Sequence, residues 1–174
     1  MSLNRRGIDY KSEVAPCGAS KAFVEDYADK VRDALDVQPR EDLNKLVELL
    51  GGRLNYLDLD EWAEASGSIY VHGKHDFDIV VPIYTSPLRD RFTIAHELGH
   101  YFLHSRQGEV QLIATRRGTG RTEWEANWFA AALLMPASLF RIACQKHGDD
   151  IERIAADFAV SVDAAKTRKA ALGG

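Results

Sequence analysis

The stretch RFTIAHELGHYFLH, residues 91–104, decides how the rest of the chain is interpreted. It contains His96, Glu97 and His100 in the order His-Glu-x-x-His, and apolar residues surround this polar triplet. On an α-helix, residues four apart are separated by about 40° of rotation and about 6 Å of rise, so the two histidines face the same side. Burying three such groups without a metal or a hydrogen-bond network is costly. The stretch therefore predicts a metal-binding helix; histidines satisfied within the core are the alternative.

The residue types of this triplet suit a catalytic zinc ion. Zinc accepts histidine nitrogens at about 2.0–2.1 Å, and a catalytic zinc takes three protein ligands and one water molecule. The metal lowers the pKa of that water to about 7, so a nearby carboxylate can accept its proton at neutral pH. We therefore predict His96 and His100 as zinc ligands and Glu97 as the general base. The third protein ligand has to come from elsewhere.

His104 continues the series of histidines, but it is a poor candidate for the third ligand. Eight residues of helix separate it from His96 by about 12 Å along the axis, which is too far for one ion. The longer metzincin pattern fails as well, because Leu103 replaces its glycine and Arg106 its last histidine. We expect His104 either to contact a ligand or the substrate, or to serve in packing.

A better source of the third ligand is RTEWEANWFAAALLMP, residues 121–136. Its small and apolar residues form one arc of a helix, the expected inner face: Ala126, Phe129, Ala130, Leu133 and Leu134. Glu123 and Asn127 fall at the edge of this arc, whereas Glu125 falls nearer the outer side. We predict Glu123 as the third ligand, with Asn127 one turn on to orient a ligating histidine. Glu125 is the alternative ligand, and a helix-capping role for Glu123 beside Thr122 also fits.

The two stretches together resemble the ImmA/IrrE-type family of bacterial and phage zinc metallopeptidases, over about residues 40–172. The spacing of Glu123 and Asn127 also resembles the Glu-x-x-x-Asp element of gluzincins, with asparagine in place of aspartate. The resemblance implies three zinc ligands and a general base: His96, His100, Glu123 and Glu97. It leaves open which group stabilises the oxyanion, for which the candidates are Tyr84, Arg91 and His104.

The resemblance also implies a substrate. Members of this family cut or inactivate a helix-turn-helix repressor that is often encoded beside them, in response to stress or mobile-element signals. The first 50 residues are expected to form two helices joined to a sheet, which leaves no room for such a domain here. The expected partner is therefore a repressor supplied in trans. Two alternatives are a non-proteolytic regulator that binds a repressor and a toxin–antitoxin component.

Composition and charge argue against several other kinds of protein. The chain has 174 residues, of which 45% are hydrophobic and 28% charged, with a net charge of -4. The length predicts a single domain, and the charge argues against nucleic-acid binding. The longest apolar run, residues 128–135, is too short to span a bilayer, and the N-terminus has no signal-peptide core. We expect a soluble cytoplasmic protein that binds neither membranes nor nucleic acid.

Hydrophobic periodicity and turn residues predict helices, then a small antiparallel sheet, then helices again, an α+β fold with a zincin-like active-site helix. One metallopeptidase domain is expected over residues 1–174, with a loosely ordered segment at 1–19 and a helical pair at 149–174. The strand preceding the motif helix is either internal or free to pair with an extended substrate. The predicted helices lie within 20–50, from a Ser20 cap, and at 122–135, 137–147 and 149–172; the strands at 53–59, 68–73 and 76–84; and a loop at 105–121.

Overall fold

The computed structural model describes residues 3, 5, 7–11, 13–115 and 120–173. This part of the chain combines helices with one small sheet, so the predicted α+β class is confirmed. A π-helical segment, His100–His104, directly continues α4. The elements are α1 Lys21–Ala34, α2 Leu43–Leu49, β1 Gly52–Leu57, α3 Leu59–Glu64, β2 Ile69–Gly73, β3 Asp76–Pro82, α4 Pro87–Gly99, β4 Leu112–Ala114, α5 Arg121–Leu134, α6 Ala137–His147, α7 Ile151–Phe158 and α8 Val162–Ala171.

The sheet is mixed, with the strand order β1-β3-β2-β4. β2 pairs antiparallel with β3 and with β4, but β1 pairs parallel with β3. The expectation of a wholly antiparallel sheet is therefore wrong for one pair. The reason is that β2 and β3 form a hairpin and therefore run in opposite directions. β3 lies between β2 and β1, and its chain runs in the same direction as that of β1. Because β3 is bonded on both sides, it is an internal strand, and the edges of the described sheet are β1 and β4.

The core lies between this sheet and a layer of helices. β3 is buried along nearly its whole length, and α4 packs both on β3 and on α5. α5 in turn packs on α1, where the ring of Phe129 lies against that of Tyr27 with centroids 6.4 Å apart. α5 is thus enclosed by α4 and α1, which explains why its small residues Ala126 and Ala130 are fully buried. The His-Glu-x-x-His motif and the stretch at residues 121–136 therefore lie on adjacent helices.

Most helix ends follow local capping chemistry that the sequence contains. The Ser20 hydroxyl accepts from the backbone N–H of Phe23 at the start of α1, as expected. α4 begins with Pro87 after the cap Ser86. α6 spans residues 137–147, as predicted. α3 was not predicted, and β4 lies within the stretch predicted to be a loop. α3 buries none of its six residues and β4 has only three, so neither has a detectable hydrophobic period.

The segment before α1, expected to be loosely ordered, contacts the sheet and α5 in its described residues. Arg5 pairs with Asp76 at 2.6 Å, and the Tyr10 hydroxyl lies 2.5 Å from Nδ1 of His72. Lys11 bridges to Leu112 at the outer edge of β4. The degree of order of this segment stays a prediction.

The predicted C-terminal helical pair is present as α7 and α8. Arg168 of α8 is buried, donating from Nε to the carbonyl of Met135 at 2.9 Å and from Nη1 to Glu25 at 2.8 Å. This pairing joins α8 to α1 and to the end of α5. No single helix of the described chain is long and apolar enough to cross a membrane; α5 and α6 reach that length and composition only as a pair, bent by 57°.

Replacing Gly99 by alanine tests the close contact of α4 with α5. A Cβ at Gly99 would lie 2.9 Å from Cα and 3.1 Å from the carbonyl oxygen of Ala126, both backbone atoms that cannot rotate away. We expect Gly99→Ala to lower the free energy of unfolding by about 1–3 kcal/mol, measured by urea denaturation. Gly73→Ala is the control, because a Cβ there meets no atom within 4 Å. Equal stability of the two variants would contradict this packing.

The carboxyl of Asp78 should make the free energy of unfolding depend on pH in acid. Burial by itself raises the pKa of this carboxyl, but hydrogen bonds from Arg53, His72 and Asn55 outweigh it and hold the pKa at about 2. The folded-state pKa is thus below the unfolded value of about 3.9, so the stabilisation is complete above about pH 4 and is lost as pH falls through 2. We expect Asp78→Asn to cost about 2 kcal/mol at pH 7 and progressively less towards pH 2. Urea unfolding at several pH values measures the difference, and a pH-independent cost would contradict it.

Candidate metal centre

The motif helix changes its winding at the site. His96 and Glu97 occupy the last turn of α4, and the π-helical segment begins at His100. In that segment the backbone N–H of Ser105 donates to the carbonyl of His100, five residues earlier, at 3.0 Å. Such wider turns are rare and often occur at functional sites. Here the wider turn places the ring of His104 against that of His100, with centroids 4.9 Å apart.

Three side chains bring their ligand atoms together at the junction of α4 and α5. His96 Nε2 lies 3.2 Å from His100 Nε2 and 3.2 Å from Glu123 Oε2, and His100 Nε2 lies 3.3 Å from Glu123 Oε1. Two ligands about 2.0–2.1 Å from a tetrahedral zinc ion are about 3.3 Å apart. His96, His100 and Glu123 are also the one group of three potential ligands within 4.8 Å of each other in the described chain. The donor set and its spacing fit a zinc ion.

Glu97 lies beside these three side chains. Its residue is 3% exposed, and its Oε2 atom has no hydrogen-bond partner among the described residues. A buried carboxylate oxygen without a donor is costly, so this atom fits a site that holds a polar ligand or water. The residue also lines the cleft that opens next to His96 and Glu123.

The electrostatics of the cluster favour a negative glutamate beside its histidines. Burial raises the pKa of Glu123, but the neighbouring imidazoles of His100 and His96 outweigh burial and bring the pKa to about 2. Burial lowers the pKa of His96, but Glu123 and Glu97 outweigh it and leave the pKa raised. The site therefore attracts positive charge, as a cation site requires.

Asn127 contacts the ring of His96 on the side away from the other ligand atoms. Its Oδ1 lies 2.9 Å from His96 Nδ1, so the ring donates there and keeps its Nε2 lone pair for the cluster. The contact corresponds to the orienting role that the sequence analysis assigned to Asn127, one helical turn after Glu123.

Glu125 and His104 lie together, behind His100. Glu125 is fully buried, so the expectation that it lies nearer the outer side of α5 is wrong. It faces the segment before α1 rather than solvent, because Cys17 and Gly18 pack over it and donate their N–H groups to its carboxylate. Its partner among the histidines is His104, whose Nε2 lies 3.0 Å from Glu125 Oε2. Burial and then His100 lower the pKa of His104 to about 4.

The cleft has a volume of about 620 Å³ and runs from the turn after β3 to α5. Tyr84, half exposed, lines it beside Thr85 and Trp62. Arg91 is not among the described residues that line it. Its guanidinium instead points towards α2, where Nη1 donates to the carbonyl of Glu41. Of the three candidates for oxyanion stabilisation, only Tyr84 thus faces the cleft, because His104 is buried behind His100.

Arg89 and Thr93 also line the cleft, although neither was among the predicted site residues. They precede His96 by seven and three residues, which places them on the same face of the helix. Helical spacing could therefore have found them. Both also border an apolar groove of about 830 Å³, which continues the cleft along α5 past Trp124 and Trp128.

Comparison with known proteins identifies the class to which this fold and site belong. A profile of the peptidase family described as the IrrE N-terminal-like domain matches residues 48–169, more than two thirds of the chain. The chain belongs to this family, as the resemblance in its sequence indicated. Membership implies a metal, and the cluster of His96, His100 and Glu123 lies within the matched range.

Two particular proteins are similar to this chain. Metallopeptidase ImmA of Bacillus subtilis (strain 168) is 29% identical over 119 residues, which are 67% of this chain and 70% of that protein. In structure, a Mycobacterium tuberculosis transcriptional regulator matches 84% of this chain with a TM-score of 0.56 and 16% identity. The chain corresponds to 46% of that regulator's length, and the likeness concerns the fold alone.

Proposed function

We propose that this protein is a zinc-dependent endopeptidase that cleaves a regulatory protein in the cytoplasm. One observation carries the proposal. Three ligand atoms, from His96, His100 and Glu123, lie at the spacing of a tetrahedral zinc site beside the buried, unpartnered Oε2 of Glu97 in the described structure. Membership of a metallopeptidase family and the similarity to ImmA support the same reading.

The side chains divide the chemistry between them. His96, His100 and Glu123 would hold the zinc ion, which would supply a Lewis acid for a peptide carbonyl and for a water molecule. Glu97 accepts a proton from the attacking water at Oε2 and delivers it to the nitrogen of the leaving amine. Tyr84, at the mouth of the cleft, is our candidate to donate its hydroxyl hydrogen to the carbonyl oxygen as negative charge develops there.

The shape of the site supports a polypeptide substrate. The cleft continues into an apolar groove along α5, so residues on both sides of a scissile bond have surfaces to contact. The family resemblance points to a helix-turn-helix repressor encoded nearby as that substrate. The net charge of -4 supports recognition of a protein rather than of nucleic acid.

Zinc binding tests the ligand assignment directly. We expect Glu123→Ala to weaken zinc affinity by more than about 100-fold, because it removes the only charged ligand of the set. Competition with a chromogenic chelator measures the affinity, and elemental analysis measures zinc per chain.

Glu109→Ala is the matched control for this experiment. Glu109 is also a partly exposed glutamate, but its ion pair is with Lys74, away from the cluster. Its loss should leave zinc affinity unchanged. Wild-type affinity in Glu123→Ala would remove Glu123 from the ligand set.

Glu97→Gln separates proteolysis from binding. The amide keeps the size of the side chain but cannot accept the proton, so we expect zinc content to stay at the wild-type level and cleavage to fall about 10²–10⁴-fold. The assay incubates each protein with the helix-turn-helix regulator encoded nearest its gene and follows intact masses. Two new fragments, formed by wild type and not by Glu97→Gln, are the expected result.

Two other outcomes of this assay have clear meanings. Intact regulator with both proteins, together with a stable complex, would contradict the peptidase and favour a zinc-containing binding protein. Equal cleavage by wild type and Glu97→Gln would exclude Glu97 as the general base.

A further inference from the structure

The proposed chemistry uses neither Glu125 nor His104, although both side chains are fully buried. Four N–H donors surround the Glu125 carboxylate. Oε2 accepts from Cys17 N at 2.8 Å and faces His104 Nε2 at 3.0 Å, and Oε1 accepts from Gly18 N at 3.0 Å and Arg121 Nε at 2.9 Å. An ionised carboxylate has about four lone-pair positions, so these contacts use its whole accepting capacity.

The direction of every hydrogen bond behind the cluster follows from this carboxylate. Because ionised Glu125 only accepts, His104 Nε2 must carry a hydrogen. A neutral imidazole with one N–H accepts at its other nitrogen, so His104 Nδ1 is an acceptor. The atom facing it is His100 Nδ1, at 3.0 Å, which must therefore be the donor. That leaves His100 Nε2 with a free lone pair, directed at His96 and Glu123.

We propose that His104 and Glu125 are positioning residues that hold His100 in the one tautomer and orientation in which its Nε2 can bind the metal. The inference rests on the proposed zinc site and adds to it the groups that fix the orientation of one ligand, His100. His96 is oriented by a single contact with Asn127, whereas His100 is oriented through a second histidine. The π-helical turn after His100 provides the geometry, because it places His104 Nδ1 within hydrogen-bond distance of the ring before it.

Glu125 also connects the metal site to the segment before α1. Two of the four donors to Glu125 are backbone N–H groups of that segment, and Arg121 additionally binds the carbonyl of Ala19. The segment thus fixes the carboxylate, the carboxylate fixes His104, and His104 fixes His100. The last two steps join the buried side chains of Glu125, His104 and His100, and hydrogen bonds shielded from water are strong and costly to lose.

Glu125→Gln is the sharpest test, because it changes one acceptor oxygen into a donor with almost no change in volume. An amide NH2 placed towards Gly18 and Arg121 would meet two groups that can only donate. Placed the other way, it meets one such group, the backbone N–H of Cys17, and it also meets His104, whose ring can change its tautomer and accept. The substitution therefore favours the second placement and reverses the hydrogen bonds as far as His100.

The reversal has two measurable consequences. In the metal-free variant, His100 should carry its hydrogen on Nε2 instead of Nδ1, which long-range ¹H–¹⁵N correlation spectra of the imidazole rings distinguish. Zinc affinity, measured by chelator competition, should fall about 10–100-fold. Neither readout depends on a substrate or on cleavage.

Variants of His104 add a conservative rescue. Glutamine carries an acceptor oxygen and a donor NH2 in one group, so His104→Gln can bridge His100 and Glu125 and should keep zinc affinity within a few-fold of wild type. His104→Leu fills the space without either bond and should lose affinity as Glu125→Gln does. Equal affinity of the two His104 variants would overturn the proposal.

Asp78→Asn is the matched control. Asp78 is also a buried carboxylate bonded to a buried histidine, His72 at 2.6 Å, but this pair lies on β2 and β3 with no contact to the cluster in the described structure. It should lose stability and keep zinc affinity. If it loses affinity as much as Glu125→Gln, the effect is general destabilisation and the proposal fails.

Failure of the zinc site and failure of this inference give different results. Wild-type zinc affinity and an Nδ1 hydrogen on His100 in Glu125→Gln would overturn the inference and leave the peptidase proposal intact. Wild-type affinity in Glu123→Ala would overturn the ligand set, while the tautomer of His100 would still report on the hydrogen bonds behind it.

Discussion

The contact between α4 and α5 at Gly99 is the constraint on which the site depends. With no side chain at Gly99, the helix carrying the histidine motif lies directly against the backbone of Ala126. This close approach lets the short reach of a glutamate side chain bridge to His96 and His100 from the neighbouring helix. A larger residue at the contact would separate the two halves of the ligand set. The short distance between the helices is therefore needed both for packing and for the geometry of the ligands.

The sheet and α1 hold that helix pair from opposite sides. Insertion of β3 between β1 and β2 gives α4 a strand bonded on both edges to pack against. α1 covers the far side of α5. The motif helix is therefore held between the sheet and α5, whereas Tyr84 in the cleft and Trp124 in the adjoining groove are exposed. A rigid ligand set beside exposed aromatic side chains suits an enzyme that fixes its reacting groups and adapts to a polypeptide.

Two kinds of polar group are buried near the centre, and they differ in how they are satisfied. Oε2 of Glu97 has no partner among the described residues, whereas the carboxylate of Glu125 meets four donors. Unpartnered polar atoms are rare in folded interiors and concentrate where a ligand or reaction completes them. Fully bonded groups instead restrict the orientation of their neighbours. The contrast separates the group proposed to react from the groups proposed to position.

The sequence alone determined what depends on one helix: the facing of His96 and His100, the capping of α1, and the place of Glu123 and Asn127 at the edge of an apolar arc. These follow from a period of 3.6 residues, which needs no knowledge of neighbours. Only the tertiary structure decided the parallel pairing of β1 with β3, the direction of Arg91, and the burial of Glu125. Each depends on which segment packs alongside, and residues distant in the chain, such as Cys17 and Gly18, supply that partner.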